Sequence, residues 1–165
     1  MWRKAIWSKR MNSKEMIIFI GIQASGKTTF YHEQLAQYAH ISLDILHTRN
    51  KERIALEECF ALGKSMVIDN TNPTAADREG YISKAKENGY YITGYFFRSC
   101  IGDCMERNEK REGKAKVPRT AIAATSNKLE MPCYAEGFDK LYFVHIENGQ
   151  MIVEDWKEQG GRDEI

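Results

Sequence analysis

The sequence lacks the features by which several classes of protein are recognised. Only three of its 165 residues are proline and twelve are glycine, which excludes collagen-like and low-complexity chains. The longest apolar run, Met16–Ile22, is far shorter than the roughly 18 residues that a membrane span needs, so no membrane partner is expected. The four cysteines form no Cys-x-x-Cys pair and the four histidines show no ligand spacing, so neither a disulfide framework nor a zinc site is predicted. The expectation is a soluble, cytoplasmic chain with one hydrophobic core.

An excess of one charge is also missing, because the chain has 24 basic and 23 acidic residues. The distribution is uneven, since residues 1–14 hold five basic side chains and no acidic one. We therefore divide the chain into a basic N-terminal extension at 1–14, a folded domain at 15–158 and a tail at 159–165. Neither the balance nor the basic extension identifies a partner by itself.

Strand and helix patterns alternate along the domain. Short apolar runs predict strands at 16–20, 40–44, 65–69, 90–97 and 141–146. The stretches between them predict helices at 27–38, 49–62, 73–88, 101–110 and 118–128. A turn at 147–150 predicts that 151–156 folds back as an antiparallel edge strand. The pattern indicates an α/β fold with three αβα layers and a parallel central sheet, in which ligands bind at the carboxyl ends of the strands.

The link between the first strand and the first helix reads Gly21-Ile-Gln-Ala-Ser-Gly26-Lys27-Thr28, which is the G-x-x-x-x-G-K-T pattern of a phosphate-binding loop. Its glycines allow backbone N–H groups to converge on phosphates, and the helix N-terminus adds its dipole. Lys27 is expected to reach the β- and γ-phosphates of ATP, and the Thr28 hydroxyl to bind Mg²⁺. The predicted nucleotide-binding residues of this segment are Gly21, Gln23, Ala24, Ser25, Gly26, Lys27, Thr28 and Thr29. The pattern indicates a P-loop NTPase without indicating which kind.

Two aspartates end neighbouring predicted strands on the side where the P-loop lies. A carboxylate at Asp44 is placed to accept the proton of an attacking hydroxyl, with a helix cap or loop role as the alternative. Asp69 follows the third strand, where Mg²⁺ or its waters are held in such folds, so it joins Thr28 as a predicted metal ligand. Thr71 or Asn72 is expected to serve a structural role at the helix that Pro73 begins.

A lid over the nucleotide is predicted at about 107–119. Residues 98–119 carry seven basic and four acidic side chains, and Arg107 and Arg111 are four residues apart on one helical face. Gly113 lies in the charged loop that follows, as in a segment that closes over ATP and excludes water. A solvated helix face balanced by glutamates is the alternative. The sequence has no N-K-x-D motif of a GTPase, so a kinase is the preferred interpretation.

Three further segments resemble the kinase domain of the polynucleotide 5′-hydroxyl kinases. These segments are Val67-Ile-Asp-Asn-Thr-Asn-Pro73 followed by Arg78, Arg107-Asn108-x-x-Arg111 followed by Val117-Pro118, and Pro132-x-x-x-Glu136-Gly-Phe-Asp139. They are similar to that family's third-strand signature, its lid, and the segment before its last strand. With the P-loop, the similarity covers about residues 16–146. No D-x-D-G-T phosphatase motif occurs.

The resemblance implies ATP-dependent phosphorylation of the 5′-OH end of DNA or RNA. It assigns Lys27, Asp44 and Arg111 to catalysis, with Asp44 as the general base and Arg111 bridging the donor phosphates, while Arg107 assists at the nucleotide. His47, Arg49 and Arg78 are the corresponding candidates for binding the acceptor.

The chain departs from the family on the acceptor side. His47 occupies the position three residues after Asp44 where family members often have arginine, and Leu43 stands where some have arginine. Two other functions therefore stay open at this point. One is a small-molecule or nucleoside kinase on the same scaffold, and the other is a non-catalytic ATP-binding regulatory module.

Overall fold

The computed structural model describes residues 13–158, so most of the expected extension at 1–14 and the whole tail at 159–165 lie outside the described residues. Lys14, which we placed in the extension, is attached to the domain. Its Nζ donates a hydrogen bond to the carbonyl oxygen of Asn88 at 2.6 Å and lies 5.1 Å from the centre of the Tyr90 ring. Within the described residues, Lys14 therefore contacts the domain at Asn88 and Tyr90.

Six strands form one sheet in the order β2-β3-β1-β4-β5-β6. The strands are β1 (Glu15–Ile20), β2 (Ala39–Ile41), β3 (Met66–Ile68), β4 (Tyr91–Phe97), β5 (Lys140–Glu147) and β6 (Gln150–Asp155). The first five pair in parallel and β6 pairs antiparallel to β5, which confirms the predicted parallel sheet and its antiparallel edge. Because β1 lies between β3 and β4, the P-loop leaves the middle of the sheet.

Six α-helices connect or flank the strands within residues 13–158. They are α1 (Lys27–Gln34), α2 (Leu43–Leu46), α3 (Arg49–Leu62), α4 (Ala75–Glu87), α5 (Ile101–Glu109) and α6 (Arg119–Lys128). Single 3₁₀ turns lie at Gly113–Ala115 and Tyr134–Glu136. No helix of this part of the chain combines the length and apolar character needed to cross a membrane.

Alternate side chains of β1 enter two different cores. Met16 and Ile18 pack in the cluster that holds buried residues of α3 and α4, whereas Ile17 and Phe19 pack in the cluster that holds residues of α1. Burial on both faces is why β1 reads as a continuous apolar run rather than as an alternating one. A third small cluster places Ile22 of the P-loop against α5 and α6.

The second strand is shorter than predicted, and this changes the setting of Asp44. β2 pairs with β3 over three residues only, and it ends at Ile41. Ser42 then begins the short helix α2, so Asp44 lies in a helical turn rather than at the end of a strand. The helix expected to start at Pro73 starts at Ala75 instead, because the Thr74 side chain caps it.

The first helix also ends earlier than its pattern predicts. α1 stops at Gln34, and Leu35 leaves the helical conformation while its N–H still bonds to the carbonyl of Tyr31. Tyr38, the predicted last residue, forms a turn back to Leu35. Its hydroxyl donates a 2.9 Å hydrogen bond to buried Glu15, so this side chain is fixed by the core and not by the helix.

Candidate active site

The phosphate-binding loop joins β1 to α1 and contains two residues in the left-handed region. Ala24 has a φ of 61° and Gly26, which precedes α1, has a φ of 97°. Such residues turn successive N–H groups toward one point, which forms a concave anion site. The left-handed conformation at Gly26 favours glycine, while the nearest atom to a Cβ built there, at 2.8 Å, is the movable terminal methyl of Met151 in β6.

The side chain of Lys27 lies at the centre of this loop. It is only 8% exposed, and its Nζ donates to the carbonyl oxygens of Gly21 at 2.9 Å and Ile22 at 2.6 Å. Nζ also lies 3.3 Å from Ser25 Oγ. Burial lowers the pKa of Lys27 to about 8, against the opposing effect of the nearby Asp69 carboxylate. The ammonium is therefore held, partly desolvated, where the loop amides converge.

Thr28 and Asp69 meet as the sequence predicts for a magnesium site. Thr28 Oγ1 donates a hydrogen bond to Asp69 Oδ2 at 2.8 Å, and the Asp69 residue is 5% exposed. Within residues 13–158 no three His, Cys, Asp or Glu side chains cluster as a metal site of their own. One hydroxyl and one carboxylate, completed by phosphate oxygens and waters, is the oxygen set that Mg²⁺ takes in nucleotide sites, so these residues fit it.

His40 is a member of this site that sequence reasoning did not find. Its Nε2 lies 2.8 Å from the same Asp69 Oδ2, and its ring stacks on Tyr31 with centroids 3.8 Å apart and an interplanar angle of 12°. The contact depends on β2 lying next to β3, with His40 beside Val67 in the ladder. The sequence shows only a histidine in the predicted strand that leads to Asp44. Its contact with Asp69 depends on the order of the strands in the sheet, which places β2 beside β3.

Arg107, a predicted nucleotide-binding residue, contacts the P-loop directly. Its Nε donates to the carbonyl oxygen of Ala24 at 2.7 Å. Arg111 follows one turn later, with Nη1 donating to the carbonyl of Ala115 at 3.2 Å. Burial is the main cause of the lowered pKa of Lys27, and the charge of Arg111 adds to it. Arg107 of α5 therefore lies against the P-loop, whereas Arg111 follows the end of that helix at Glu109, so the two arginines do not share one helical face as the sequence suggested.

Asn108 anchors the predicted lid at its base. This residue is fully buried, its Nδ2 donates to the carbonyl oxygen of Val117 at 2.8 Å, and its Oδ1 accepts the Val117 N–H at 3.0 Å. The Asn108 side chain thus pairs with both backbone groups of Val117, as a neighbouring strand would. The two bonds close a loop of residues 109–116. The ends of the segment are thus fixed, while the side chains of Lys110, Lys114 and Lys116 are exposed.

Gln23 and Thr29 direct their side chains to different surroundings. Gln23 Nε2 donates to Thr125 Oγ1 of α6 at 3.0 Å, which leaves the backbone N–H of Gln23 as its candidate phosphate donor. Thr29 lines a cavity of about 510 Å³ between α1 and the β5–β6 hairpin, together with Glu33, Gln34, Ile146, Gly149, Gln150 and Met151. This cavity adjoins the P-loop on the side away from Asp69.

Asp44 lies in the first turn of α2 with its side chain exposed. Among the charges that act on the pKa of Lys27, that of Asp44 has the smallest effect, and it raises the pKa against the effect of burial. His47 ends α2 with a φ of 66° and is exposed. Arg49 follows with 69% of its side chain exposed, although its Nη1 bonds to Glu52 and to the Tyr81 hydroxyl. Asp44, His47 and Arg49 therefore share one accessible segment.

Arg78 does not belong to this accessible segment, and we correct its assignment as an acceptor-binding residue. Its side chain is 0% exposed, and Nε and Nη2 donate to the two carboxylate oxygens of Glu136 at 2.7 and 3.0 Å. Nη1 lies 3.0–3.2 Å from the carbonyls of Asn72, Pro73 and Glu130. A buried guanidinium with every nitrogen bonded offers no donor to an acceptor. Arg78 instead joins the loop after β3 to the turn before β5.

Asn72 has a structural role at β1 and not at the helix after Pro73, which Thr74 caps. It is 5% exposed, and its Nδ2 donates to the carbonyl of Phe19 in β1 at 2.8 Å. The neighbouring Thr71 carbonyl accepts the Gly21 N–H at 3.0 Å. The segment after β3 therefore holds the end of β1 and the start of the P-loop through one side-chain amide and one backbone carbonyl.

Comparisons with known proteins identify the family and the fold. The family model described as AAA domain matches residues 16–132. The chain is 32% identical over 87% of its length to a putative bifunctional polynucleotide phosphatase/kinase of Acanthamoeba polyphaga mimivirus. It is 30% identical over 79% of its length to the bifunctional polynucleotide phosphatase/kinase of Schizosaccharomyces pombe. The chain spans only 37% and 33% of the lengths of these two curated relatives.

Solved structures of P-loop kinases share the fold. Kti12 of Chaetomium thermophilum, in a complex with ADP-AlF3, has a TM-score of 0.59 at 19% identity, with 79% of this chain and 88% of that chain covered. A gluconokinase of Sinorhizobium meliloti has a TM-score of 0.55 at 17% identity, with 79% and 82% covered. The family implies nucleotide binding, and the relatives named as kinases support a kinase. The chain belongs to the AAA domain family of P-loop proteins and is a P-loop kinase-like protein that resembles the polynucleotide kinases.

Proposed function

We propose that this protein transfers the γ-phosphate of ATP to a hydroxyl acceptor, which is the 5′-OH end of DNA or RNA. The observation that carries the proposal is the arrangement around Lys27. Asp69 and Thr28 form an oxygen pair suited to Mg²⁺ next to this lysine, and Asp44 is exposed in the first turn of α2, whose first N–H is bonded to Asn70 beside Asp69. A donor site beside an accessible carboxylate suits phosphoryl transfer better than it suits nucleotide binding alone.

The proposed reaction divides the work between the two sides. The P-loop amides and Lys27 hold the donor phosphates, and Mg²⁺ bound by Thr28 and Asp69 would neutralise charge on them. Asp44 accepts the proton of the acceptor hydroxyl as its oxygen attacks the γ-phosphorus. The bond from the γ-phosphorus to the bridging oxygen breaks, so the products are ADP, a phosphate monoester and a proton. Arg111 compensates the charge that develops on the transferred group.

The nucleic-acid acceptor is supported by the names of the two curated relatives and by the accessible segment after Asp44. Arg49 and His47 are candidates to contact the phosphate that follows the terminal nucleoside, and the exposed lysines of the lid add positive charge. The exposed Ile45, with 57% of its surface accessible, offers an apolar surface next to Asp44. We also propose that the protein is intracellular and acts in the repair of nucleic-acid ends.

The test is transfer of labelled γ-phosphate from ATP by the full chain to four acceptors in parallel. These are single-stranded DNA with a 5′-OH, RNA with a 5′-OH, a free nucleoside and gluconate. The 5′-phosphorylated forms of the two oligonucleotides are the blocked controls. The proposal predicts label on the unblocked oligonucleotides only. Label on a nucleoside or on gluconate alone would make the protein a small-molecule kinase, and nucleotide binding without any transfer would favour the regulatory module.

A further inference from the structure

The helix that carries Asp44 is capped by a residue from the loop that follows β3. Ser42, which precedes α2, makes no side-chain hydrogen bond to it. Asn70 Oδ1 accepts the N–H of Leu43 at 2.9 Å instead, which satisfies one of the donors left open at a helix N-terminus. Asn70 directly follows Asp69, so one short segment presents the metal-site carboxylate and holds the start of α2.

Glu52 fixes the orientation of the Asn70 amide. Asn70 Nδ2 donates to Glu52 Oε2 at 2.9 Å while its Oδ1 faces the Leu43 N–H. A rotated amide would bring its NH₂ group against the Leu43 N–H and its oxygen against a carboxylate, so both contacts would be lost. The carboxylate therefore decides which end of the amide faces α2.

Glu52 is in turn held in place by Tyr81 of α4 and by Arg49 of its own helix, α3. It is 4% exposed, and its Oε1 accepts hydrogen bonds from the Tyr81 hydroxyl and from Arg49 Nη1, each at 2.9 Å. A buried carboxylate is stable only when it is paired and hydrogen-bonded, and here both oxygens are engaged. Burial and the neighbouring carboxylate raise the pKa of Tyr81 to about 12, so its hydroxyl keeps its proton as a donor.

We propose that Asn70 and Glu52 are positioning residues that set the place of Asp44 relative to Asp69 and the P-loop. The inference rests on the proposed function, in which Asp44 acts on the acceptor hydroxyl. Displacement of a reacting group by about 1 Å lowers rates by about 10²-fold. Within residues 13–158 the Asn70 side chain bonds to α2, α3 and α4 and makes no hydrogen bond to the P-loop, so its loss should affect transfer and not nucleotide binding.

The first experiment measures the cap itself, without an acceptor. Hydrogen exchange at the Leu43 amide is compared in the wild type, Asn70→Ala and Asn88→Ala. Asn88 is the matched control, because its side chain donates to the Lys84 carbonyl at the far end of α4, away from α2. We expect exchange at Leu43 to become at least about tenfold faster in Asn70→Ala and to stay unchanged in Asn88→Ala. Unchanged exchange in Asn70→Ala overturns the proposal.

The second experiment exchanges the donor and the acceptor between the two positions. Asn70→Asp alone places two carboxylates together, and Glu52→Gln alone removes the acceptor that orients the amide. In the double variant the carboxylate at position 70 still accepts the Leu43 N–H and also accepts from the new amide at position 52. The oxygen of that amide retains the bonds from Tyr81 and Arg49, and the net charge of the pair is unchanged.

We expect both single variants to lower kcat for transfer by about 10- to 100-fold, with the dissociation constant of a non-hydrolysable ATP analogue within about twofold. The double variant should recover most of kcat and the slow exchange at Leu43. A double variant as impaired as the singles, or faster exchange without a change in kcat, contradicts the positioning role. If the wild type phosphorylates no hydroxyl, the proposed function fails, whereas the exchange of Leu43 in the three variants still decides whether this pair holds α2.

Discussion

Thr28 Oγ1 donates a 2.8 Å hydrogen bond to Asp69 Oδ2, which joins the first residues of α1 to the end of β3. The same carboxylate oxygen also lies 2.8 Å from His40 Nε2, so contacts from α1 and from β2 both hold it in place. A preset carboxylate avoids reorganisation when a cation binds. This relationship is the basis of the magnesium site that we propose.

His40→Phe should weaken divalent cation binding without disturbing the P-loop. Phenylalanine keeps a flat ring against Tyr31 but removes the contact with Asp69, and loss of such a supporting contact typically costs 10- to 100-fold in metal affinity. The measurement is Mn²⁺ binding by electron paramagnetic resonance in the presence of a non-hydrolysable ATP analogue. His145→Phe is the control, because His145 contacts Glu154 on β6 instead. Equal Mn²⁺ affinity in all three proteins would refute this role.

Lys27→Met should change the pH dependence of stability as well as abolish nucleotide binding. The pKa of Lys27 is lowered by burial from 10.5 to about 8 in the folded chain, so between these values the unfolded chain binds more protons. The free energy of unfolding of the wild type should therefore rise relative to Lys27→Met from about pH 8 to pH 10.5. The full difference corresponds to about 3 kcal/mol and is reached only near the upper end.

Urea unfolding at four pH values between 7 and 10.5, without nucleotide, measures this difference. Subtracting the curve of Lys27→Met from that of the wild type removes the groups common to both. A difference that is flat across this range, or that falls with pH, would show that the ammonium is not desolvated as the structure has it.

Arg78→Met should destabilise the fold, in contrast to the acceptor-binding role suggested by the sequence. Removing one partner of a buried ion pair typically costs about 3–5 kcal/mol, because Glu136 is left without its counter-charge. Arg53→Met is the matched control, since its pair with Glu57 is exposed and such pairs contribute about 0–1 kcal/mol. The measurement is the free energy of unfolding of both variants in urea, compared with that of the wild type. A stable Arg78→Met protein with a raised KM for the oligonucleotide would restore the original assignment.

The P-loop and the alternation of strands and helices along the chain could be predicted because each depends on local pattern. The run at β1 is apolar throughout since both faces are buried, and Lys27 and Thr28 follow a strand as the motif requires. The presence of Asp69 at the end of β3 followed from the same logic. These features need no knowledge of which distant residues meet.

Arg78 and His40 could not be assigned from the sequence because their partners are far away along the chain. The partner of Arg78 is Glu136, 58 positions later, and an arginine in a charged helix gives no sign of full burial. His40 acquires Asp69 only because β2 lies beside β3. The helical setting of Asp44 depends likewise on Asn70, which accepts the Leu43 N–H after β2 has ended.

The central claim is that Asp44 acts on an acceptor hydroxyl beside a bound nucleotide. The most direct measurement is kcat for transfer from ATP to a 5′-OH oligonucleotide in Asp44→Asn, together with nucleotide affinity. Asp155→Asn is the control, because Asp155 pairs with Lys140 at the sheet edge. We predict a loss of about 10²- to 10⁴-fold in Asp44→Asn with nucleotide affinity within about twofold, and no loss in Asp155→Asn. Transfer by Asp44→Asn at the wild-type rate would contradict the account.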